Sequence, residues 1–177
     1  TNDYFIQTKI KPNKSKMIDG VQYRLFNFCY FLQNSTADYR FEDYIIRNAS
    51  VGSVGISYAF NSHQFDNVDF DKELLLSFNC IGKIQKVQYV DGGGAFTNND
   101  SRSFGSVNFG TWSFFNSFAT SNNYDPGKFY YSYVKTAEPE IKALWIPARA
   151  KDPSDTKPYI VDCASGSVGV NGCNDLS

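Results

Sequence analysis

The chain has 177 residues, 42% of them hydrophobic and 20% charged, which is typical of one globular domain and excludes a disordered chain. Its 17 basic and 18 acidic residues nearly balance, which argues against nucleic acid as the main partner, because such binding needs a basic surface. The sequence has no run of about 18 apolar residues, so it predicts no transmembrane helix.

The first 20 residues predict a short strand and a polar arm. Tyr4-Phe5-Ile6 is apolar enough for a strand, and the residues after it are typical of a partly extended N-terminal arm, residues 1–20 in all. Four lysines lie in this arm, and we expect them to be solvated. They are Lys9, Lys11, Lys14 and Lys16.

Several segments between residues 21 and 90 predict strands. The segment 21–32 is apolar on both faces, whereas 51–60 and 73–80 alternate and 83–90 is a further strand. The acidic segment 61–72 is predicted to be a loop. The side chains expected to point inward include Val54, Ile56, Leu74, Leu76 and Phe78.

The densest aromatic run lies between residues 103 and 135. Its two blocks, 107–118 and 128–134, are separated by a segment whose Asn, Asp, Pro and Gly residues are typical of a turn. This arrangement predicts a β-hairpin or a loop-linked strand pair. On the second block, strand alternation places Phe129, Tyr131 and Tyr133 on one face and Tyr130 on the other.

Two further strands are predicted at 141–146 and 159–163, followed by a loop-like tail at 164–177 that is closed by a disulfide. Sustained helical periodicity is absent from the sequence, and turn signals recur between short apolar segments. We therefore predict a single all-β domain over residues 1–177, a β-sandwich of the jelly-roll or immunoglobulin-like type with two disulfides.

The four cysteines permit three connectivities, and their positions favour one of them. Cys163 and Cys173 flank a glycine-rich segment that is short and flexible enough to close, which leaves Cys29 and Cys80 to pair between core strands. The latter disulfide would constrain the unfolded chain by about 4 kcal/mol in the chain-entropy model. A zinc site is disfavoured, because the sequence has no CxxC and one histidine.

Disulfides persist in oxidising compartments, so the cysteines favour a secreted or cell-surface protein. The first residue, Thr1, suits a processed product. Four tripeptides match the N-glycosylation sequon, and they begin at Asn13, Asn34, Asn48 and Asn99.

Two groups of side chains are candidates for catalysis. His63 is the only histidine, and because we expect a solvated loop residue there, we assign it no catalytic role. Glu138 and Glu140 flank Pro139 and could project from one side of an extended segment, as the paired carboxyls of a glycan-active enzyme do.

The same glutamates support a second enzymatic hypothesis. The segment 130–134, followed by Glu138-Pro139-Glu140-Ile141, resembles the Glu-x-Glu motif of ADP-ribosyltransferases. The resemblance implies an early arginine, for which Arg24 is a candidate. It also implies a strand with a Ser-Thr-Ser motif. That motif is absent from this chain, and Ser57 is the candidate for its position.

Three aspartates in the acidic segment supply the hard oxygen ligands that calcium uses, namely Asp66, Asp69 and Asp71. The glycine and the spaced glutamate of an EF-hand loop are missing. We therefore expect an acidic, solvated loop and no cofactor, with calcium at these aspartates as the alternative.

Aromatic side chains are the most informative functional feature. The run holds more rings than one inward strand face can bury, and exposed Tyr and Trp side chains mark interaction sites. Flat rings suit the C–H faces of sugars, and neighbouring Asn and Asp side chains can bind hydroxyl groups. The predicted binding residues are Trp112, Tyr124, Tyr130, Tyr131, Asn122, Asn123 and Asp125.

We therefore predict a secreted or cell-surface binding module of the lectin-like, adhesin or receptor-binding kind, which recognises a glycan or a surface protein. One alternative is a structural or assembly subunit of a surface fibre or wall, which would self-associate through aromatic and edge-strand contacts. The other is a glycan-active or ADP-ribosylating enzyme that uses Glu138 and Glu140.

Overall fold

The computed structural model describes residues 4–31, 38–58, 61–79, 83–99, 108–114, 127–136, 141–149, 152–155, 158–164, 168–170 and 174–175. Within these ranges the regular structure is almost entirely β. One 3-10 turn covers Lys14–Lys16. The strands are β1 (Tyr4–Pro12), β2 (Gln22–Phe31), β3 (Asp38–Asn48), β4 (Val51–Tyr58), β5 (Asn61–Val68), β6 (Leu74–Asn79), β7 (Ile84–Tyr89), β8 (Ala95–Asn99), β9 (Asn108–Phe114), β10 (Gly127–Thr136), β11 (Ile141–Arg149), β12 (Pro158–Asp162), β13 (Val168–Val170) and β14 (Asn174–Asp175).

The described strands form two antiparallel sheets. The larger sheet has nine strands in the order β14-β13-β12-β11-β10-β1-β6-β7-β8, and the smaller has five in the order β5-β4-β3-β2-β9. Most neighbours are consecutive in sequence, as expected for strands joined by hairpins. The prediction of an all-β protein is confirmed. The strand β1 lies inside the larger sheet, paired with β10 on one side and β6 on the other.

One hydrophobic core is shared by the two sheets. Burying each of its large apolar side chains contributes about 1.5–3 kcal/mol relative to leaving it exposed. A buried amide joins the sheets, because Gln85 Nε2 on β7 donates to the carbonyl oxygen of Ile56 on β4 at 2.9 Å. The core side chains that are at most 1% exposed include Ile6, Ile10, Leu25, Ile45, Val54, Ile56, Leu74, Leu76 and Phe78.

Strand alternation explains much of this core. Along β6 every second side chain is buried, starting at Leu74, as the sequence predicts. Val54 and Ile56 on β4 are also buried, again as predicted. On β4 the residues beside Val54 and Ile56 are small, namely Ser53 and Gly55. On β6 Ser77 is polar, whereas Leu75 is an apolar exception that lies half-buried on the opposite face.

Four segments differ from their predicted structure. The two aromatic blocks form β9 and β10, which lie in different sheets and therefore do not pair as a hairpin. The first strand continues past Ile6 to Pro12, because Ile6, Thr8 and Ile10 alternate with polar side chains that point to the other face. His63 lies in β5, where it pairs with Ile56, although 61–72 was expected to be a loop. The C-terminal tail contributes the short strands β13 and β14.

The structure does not support the predicted Cys163–Cys173 disulfide. Cys163 is a free, exposed thiol just after β12. Asn174, the residue after Cys173, pairs with Val170, which in turn pairs with Tyr159. The strand β13 therefore lies between Asn174 and β12, and Asn174 is level with Tyr159, which is four positions before Cys163. Bridged cysteines have Cα atoms within about 7 Å of each other. Cys173 itself lies outside the described residues.

The second predicted disulfide, Cys29–Cys80, stays a prediction. Cys29 lies on β2, where its backbone pairs with Arg40. Its side chain and the whole of Cys80 lie outside the described part of the chain.

A glycine on β4 allows the core to close at one end. A Cβ atom at Gly52 would lie 2.1 Å from Cζ of Phe70, a ring that is 1% exposed. Gly93 is a different case, because the nearest atom to a Cβ there is the flexible end of Lys72, at 2.7 Å.

We expect Gly52→Ala to lower the free energy of unfolding by about 1–3 kcal/mol, because the buried Phe70 ring must move to admit a methyl group. Gly93→Ala is the matched control and should change it by less than about 0.5 kcal/mol. Urea denaturation followed by tryptophan fluorescence measures both values. Equal stability of the two variants would show that Phe70 does not pack on Gly52.

Candidate functional site

An extra residue in β10 decides which aromatic rings reach the surface. Lys9 on β1 pairs with Tyr131, and the next residue, Ile10, pairs with Phe129, so Tyr130 is an unpaired bulge residue. The bulge reverses the alternation on either side of it. Phe129 is buried, at 8% exposure, whereas Tyr131 and Tyr133 point away from the core. The prediction that these three rings share one face is therefore wrong.

The outward rings form a continuous row across β1 and β10, which we call the aromatic row: Phe5, Tyr131 and Tyr133. Tyr131 and Tyr133 are stacked, with ring centroids 6.0 Å apart, and Phe5 lies 5.9 Å from Tyr133. The hydroxyl of Tyr131 donates to Gln7 Oε1 at 3.0 Å. Lys135 Nζ lies over the Phe5 ring at 5.0 Å. All three rings are half-buried, so each keeps some surface for a ligand.

Partial burial of the aromatic row affects the pKa values of its two tyrosines. It raises the pKa values of the Tyr131 and Tyr133 hydroxyls above the ordinary value of 10.0, because desolvation penalises the phenolate. Both hydroxyls are thus neutral at physiological pH, and they present hydrogen-bonding groups without charge.

Tyr130 belongs to a charged cluster beside the row. Its hydroxyl donates a short hydrogen bond to Glu73 Oε1, and Lys9 Nζ pairs with Glu73 Oε2 at 2.8 Å. Two ammonium groups lie over the Tyr130 ring, from Lys9 at 4.4 Å and from Lys128 at 4.6 Å. Ammonium groups at these distances are attracted by the ring's negative face. The cluster therefore holds Tyr130 in place and covers its ring.

The same cluster shifts two pKa values. The hydrogen bond to Glu73 raises the pKa of Tyr130, because a nearby carboxylate disfavours the phenolate. Hydrogen bonds from Lys9 and then from Tyr130 hold the pKa of Glu73 below its ordinary value of 4.5. Because this folded-state pKa is depressed, the cluster is intact above about pH 4.5 and is lost as the pH falls through the lowered value.

A cavity of about 840 Å³ lies at the end of β1 and β10, next to this cluster. We call it the lysine pocket. Lys11 Nζ donates to the backbone carbonyl of Asp71 at 2.8 Å, and Lys14 Nζ pairs with the Asp71 carboxylate at 2.6 Å. The residues that line it include Lys11, Asn13, Lys14, Asp71, Gly127 and Lys128.

Gly127 brings the two strands close together at this pocket. Its φ is +151°, and a Cβ atom there would lie 2.2 Å from the carbonyl oxygen of Lys11. Only glycine fits such an approach. The tight pairing sets Lys128 directly opposite Lys11, so two ammonium side chains start from neighbouring backbone positions.

The structure describes only part of the predicted binding set. Tyr130 and Tyr131 are neighbours on β10, and Trp112 lies on β9, where its backbone pairs with Phe28. The side chain of Trp112 is outside the described part of the chain. So are the whole residues Asn122, Asn123, Tyr124, Asp125, Glu138 and Glu140.

Sequence reasoning missed several residues of this face. Phe5, Gln7, Lys9 and Lys11 were assigned to an entering strand and a solvated arm, although they alternate with Ile6, Thr8 and Ile10. That period-two pattern over Phe5–Lys11 is the signal that could have found them. Glu73 and Lys128 carry no such signal, because only the pairing of strands brings them to Tyr130.

The other candidate residues lie elsewhere. The ring of His63 packs edge-on against Phe65, with centroids 4.6 Å apart. Asp66 accepts hydrogen bonds from Ser53 and from Gln64, both at 2.7 Å, and these bonds lower its pKa. Asp69 accepts from the backbone N–H of Asp71. Among the described residues, no three His, Cys, Asp or Glu side chains are grouped so as to hold a metal ion.

Comparisons of the chain with protein-family models, with curated proteins and with solved structures find no match. Within the described ranges, none of the structure is a helix of the length and hydrophobicity needed to cross a membrane. We therefore infer function from the chemistry of the site itself.

We expect Glu73→Gln to lower the pKa of Tyr130 towards 10.0, because a neutral amide no longer repels the phenolate. A pH titration of the tyrosine ζ-carbon resonances by NMR measures this. Tyr159 is the internal control, since its pKa is raised by Asp155 and should not change. An unchanged Tyr130 titration would show that Glu73 is not its hydrogen-bond partner.

Proposed function

We propose that this protein is a binding module that recognises a glycan or a surface protein through the outer face of its larger sheet. The observation that carries the proposal is the aromatic row, three half-buried rings in contact with one another on the face opposite the core. Rings that only fill a core would point inward, as Phe129 does.

Physical chemistry favours a ligand on this row. Each ring leaves apolar area in water, and covering it recovers about 25 cal/mol per Å². Covering about 50 Å² would thus contribute roughly 1.3 kcal/mol, or about tenfold in affinity. Stacked rings offer a flat surface that suits the C–H face of a sugar, and Gln7 and Lys135 supply polar groups at its border.

We also propose the sandwich type, one disulfide, the location and the glycosylation of this protein. Two sheets around one core support a β-sandwich, and we propose the jelly-roll or immunoglobulin-like type with a Cys29–Cys80 disulfide. We likewise propose secretion or surface display and glycosylation. In support, Asn48 and Asn99 are exposed, whereas Asn13 is half-buried and Asn34 lies outside the described residues.

No specific observation favours the two alternative functions. The enzymatic hypothesis depends on Glu138 and Glu140, which lie outside the described part of the chain. An assembly subunit would use edge strands such as β8, whose exposed side chains are Ala95, Thr97 and Asn99. Polar, short edges of this kind resist pairing with another chain more than they promote it.

We expect Tyr133→Ala to weaken ligand binding about tenfold while lowering the free energy of unfolding by only about 1 kcal/mol, the worth of its ring contacts. Phe129→Ala should instead cost about 3–5 kcal/mol of stability, because its ring is in the core. A glycan array identifies a ligand, and a titration isotherm with thermal unfolding then separates the two effects.

Three results would contradict this proposal. The array and a parallel screen of surface proteins could find no ligand at all. Tyr133→Ala could bind the ligand as tightly as the unaltered protein. Finally, Tyr133→Ala could unfold as readily as Phe129→Ala, which would place its ring in the core.

A further inference from the structure

The face that carries the aromatic row is locally basic, although the whole chain has a net charge of −1. Three lysines and one aspartate are the charged residues among the described side chains that line the lysine pocket, which gives the pocket a net charge of +2. Lys9 and Lys135 add two more ammonium groups along the same face, and Glu73 adds one carboxylate.

The lysine pocket and the aromatic row are parts of one surface. Lys128 lines the pocket and lies over the Tyr130 ring, and the neighbouring Tyr131 begins the row. From Lys128 to Lys135 the strand spans about 23 Å, at about 3.3 Å per residue. An extended ligand that lies along β10 would therefore meet ammonium groups at both ends and rings between them.

Fixed ammonium groups favour a ligand that carries negative charge. Lys14 pairs with the Asp71 carboxylate, whereas Lys11 donates to the Asp71 backbone carbonyl, so one carboxylate balances the three ammonium groups of the described lining. A carboxylate or sulfate group in the pocket could accept charge-assisted hydrogen bonds, which are stronger than neutral ones. A neutral sugar would leave this excess charge uncompensated.

The surrounding chemistry favours a glycan over a nucleic acid as the source of that charge. The sequence pI is about 5.8, whereas nucleic-acid-binding domains are usually strongly basic. All the cations that the described lining contributes are lysines, and none is an arginine, the residue that grips phosphate with two parallel hydrogen bonds.

We propose that the lysine pocket binds the carboxylate or sulfate group of an anionic glycan whose sugar rings lie along the aromatic row. This inference rests on the proposed function, and it adds the charge class of the ligand and the residues that select it. Lys11 and Lys128 contact the anion, with Lys14 held nearby by Asp71.

Two matched pairs of oligosaccharides test the proposal by isothermal titration. One pair is a galacturonic acid hexasaccharide and its carboxyl-reduced form, and the other is a dextran sulfate oligosaccharide and uncharged dextran. We expect the charged member of at least one pair to bind about tenfold tighter than its neutral partner, as the loss of charged hydrogen bonds implies.

Variants assign that preference to the pocket. The double variant Lys11→Gln/Lys128→Gln should abolish it, whereas the control Lys86→Gln should keep it. Lys86 lies on the same face of the same sheet, but on β7, which β6 separates from β1. Circular dichroism and thermal unfolding verify that each variant is folded.

Other outcomes would overturn the inference. Equal binding of the charged and neutral members, or a preference that survives the double variant, would remove the pocket from recognition. Tighter binding of a 12-nucleotide oligo-dT than of any charged glycan would assign the surface to nucleic acid instead.

Tyr133→Ala separates this inference from the proposed function. If neutral glycans bind through Tyr133 without a preference for charge, the charge class is wrong and the binding face stands. If charged glycans need the lysines but not Tyr133, the aromatic row is not the binding surface. If no glycan binds, this inference fails, whereas the proposed function fails only if the screen of surface proteins also finds no ligand.

Discussion

The pairing of β1 with β10 is the constraint on which the candidate site depends. On the core side the register is fixed by Thr8 and Ser132, whose buried hydroxyl oxygens lie 3.0 Å apart in a hydrogen bond. Two residues further along β1 the bulge at Tyr130 inserts one residue, and every side chain of β10 beyond it changes face. Without that insertion Tyr131 and Tyr133 would share the buried face with Phe129.

Charged side chains hold the bulge residue Tyr130 in position. The hydroxyl of Tyr130 donates to Glu73, and the ammonium groups of Lys9 and Lys128 lie over its ring. The Lys9–Glu73 pair is partly exposed and contributes little to stability by itself. Its effect is positional, since it fixes Tyr130 between the aromatic row and the lysine pocket. Gly127 completes the arrangement by letting β10 approach β1 closely enough to set Lys128 opposite Lys11.

The sequence alone predicts which side chains are buried on strands whose apolar residues alternate. Leu74, Leu76 and Phe78 make one face of β6 uniformly apolar, whereas the other face carries Leu75 beside polar residues, so the burial of the first face follows from the sequence alone. The face of Tyr131 does not, because a bulge arises from pairing with a distant strand. The lysines on β1 concealed a strand although they alternate with Ile6, Thr8 and Ile10 in the sequence. That this strand lies inside the sheet, between β10 and β6, follows only from the pairing. That Cys163 is a free, exposed thiol is likewise not evident from the spacing of the cysteines in the sequence.

The central claim is that the bulge turns Tyr131 and Tyr133 out of the core while Phe129 stays in it. A ¹³C-edited NOESY spectrum of the aromatic protons tests this most directly. We expect cross-peaks from the Phe129 ring to the methyl groups of Ile10, its partner on β1, and cross-peaks from the Tyr133 ring to the rings of Phe5 and Tyr131. Cross-peaks from the Tyr131 or Tyr133 rings to the methyl groups of Leu76 or Ile56 would contradict it.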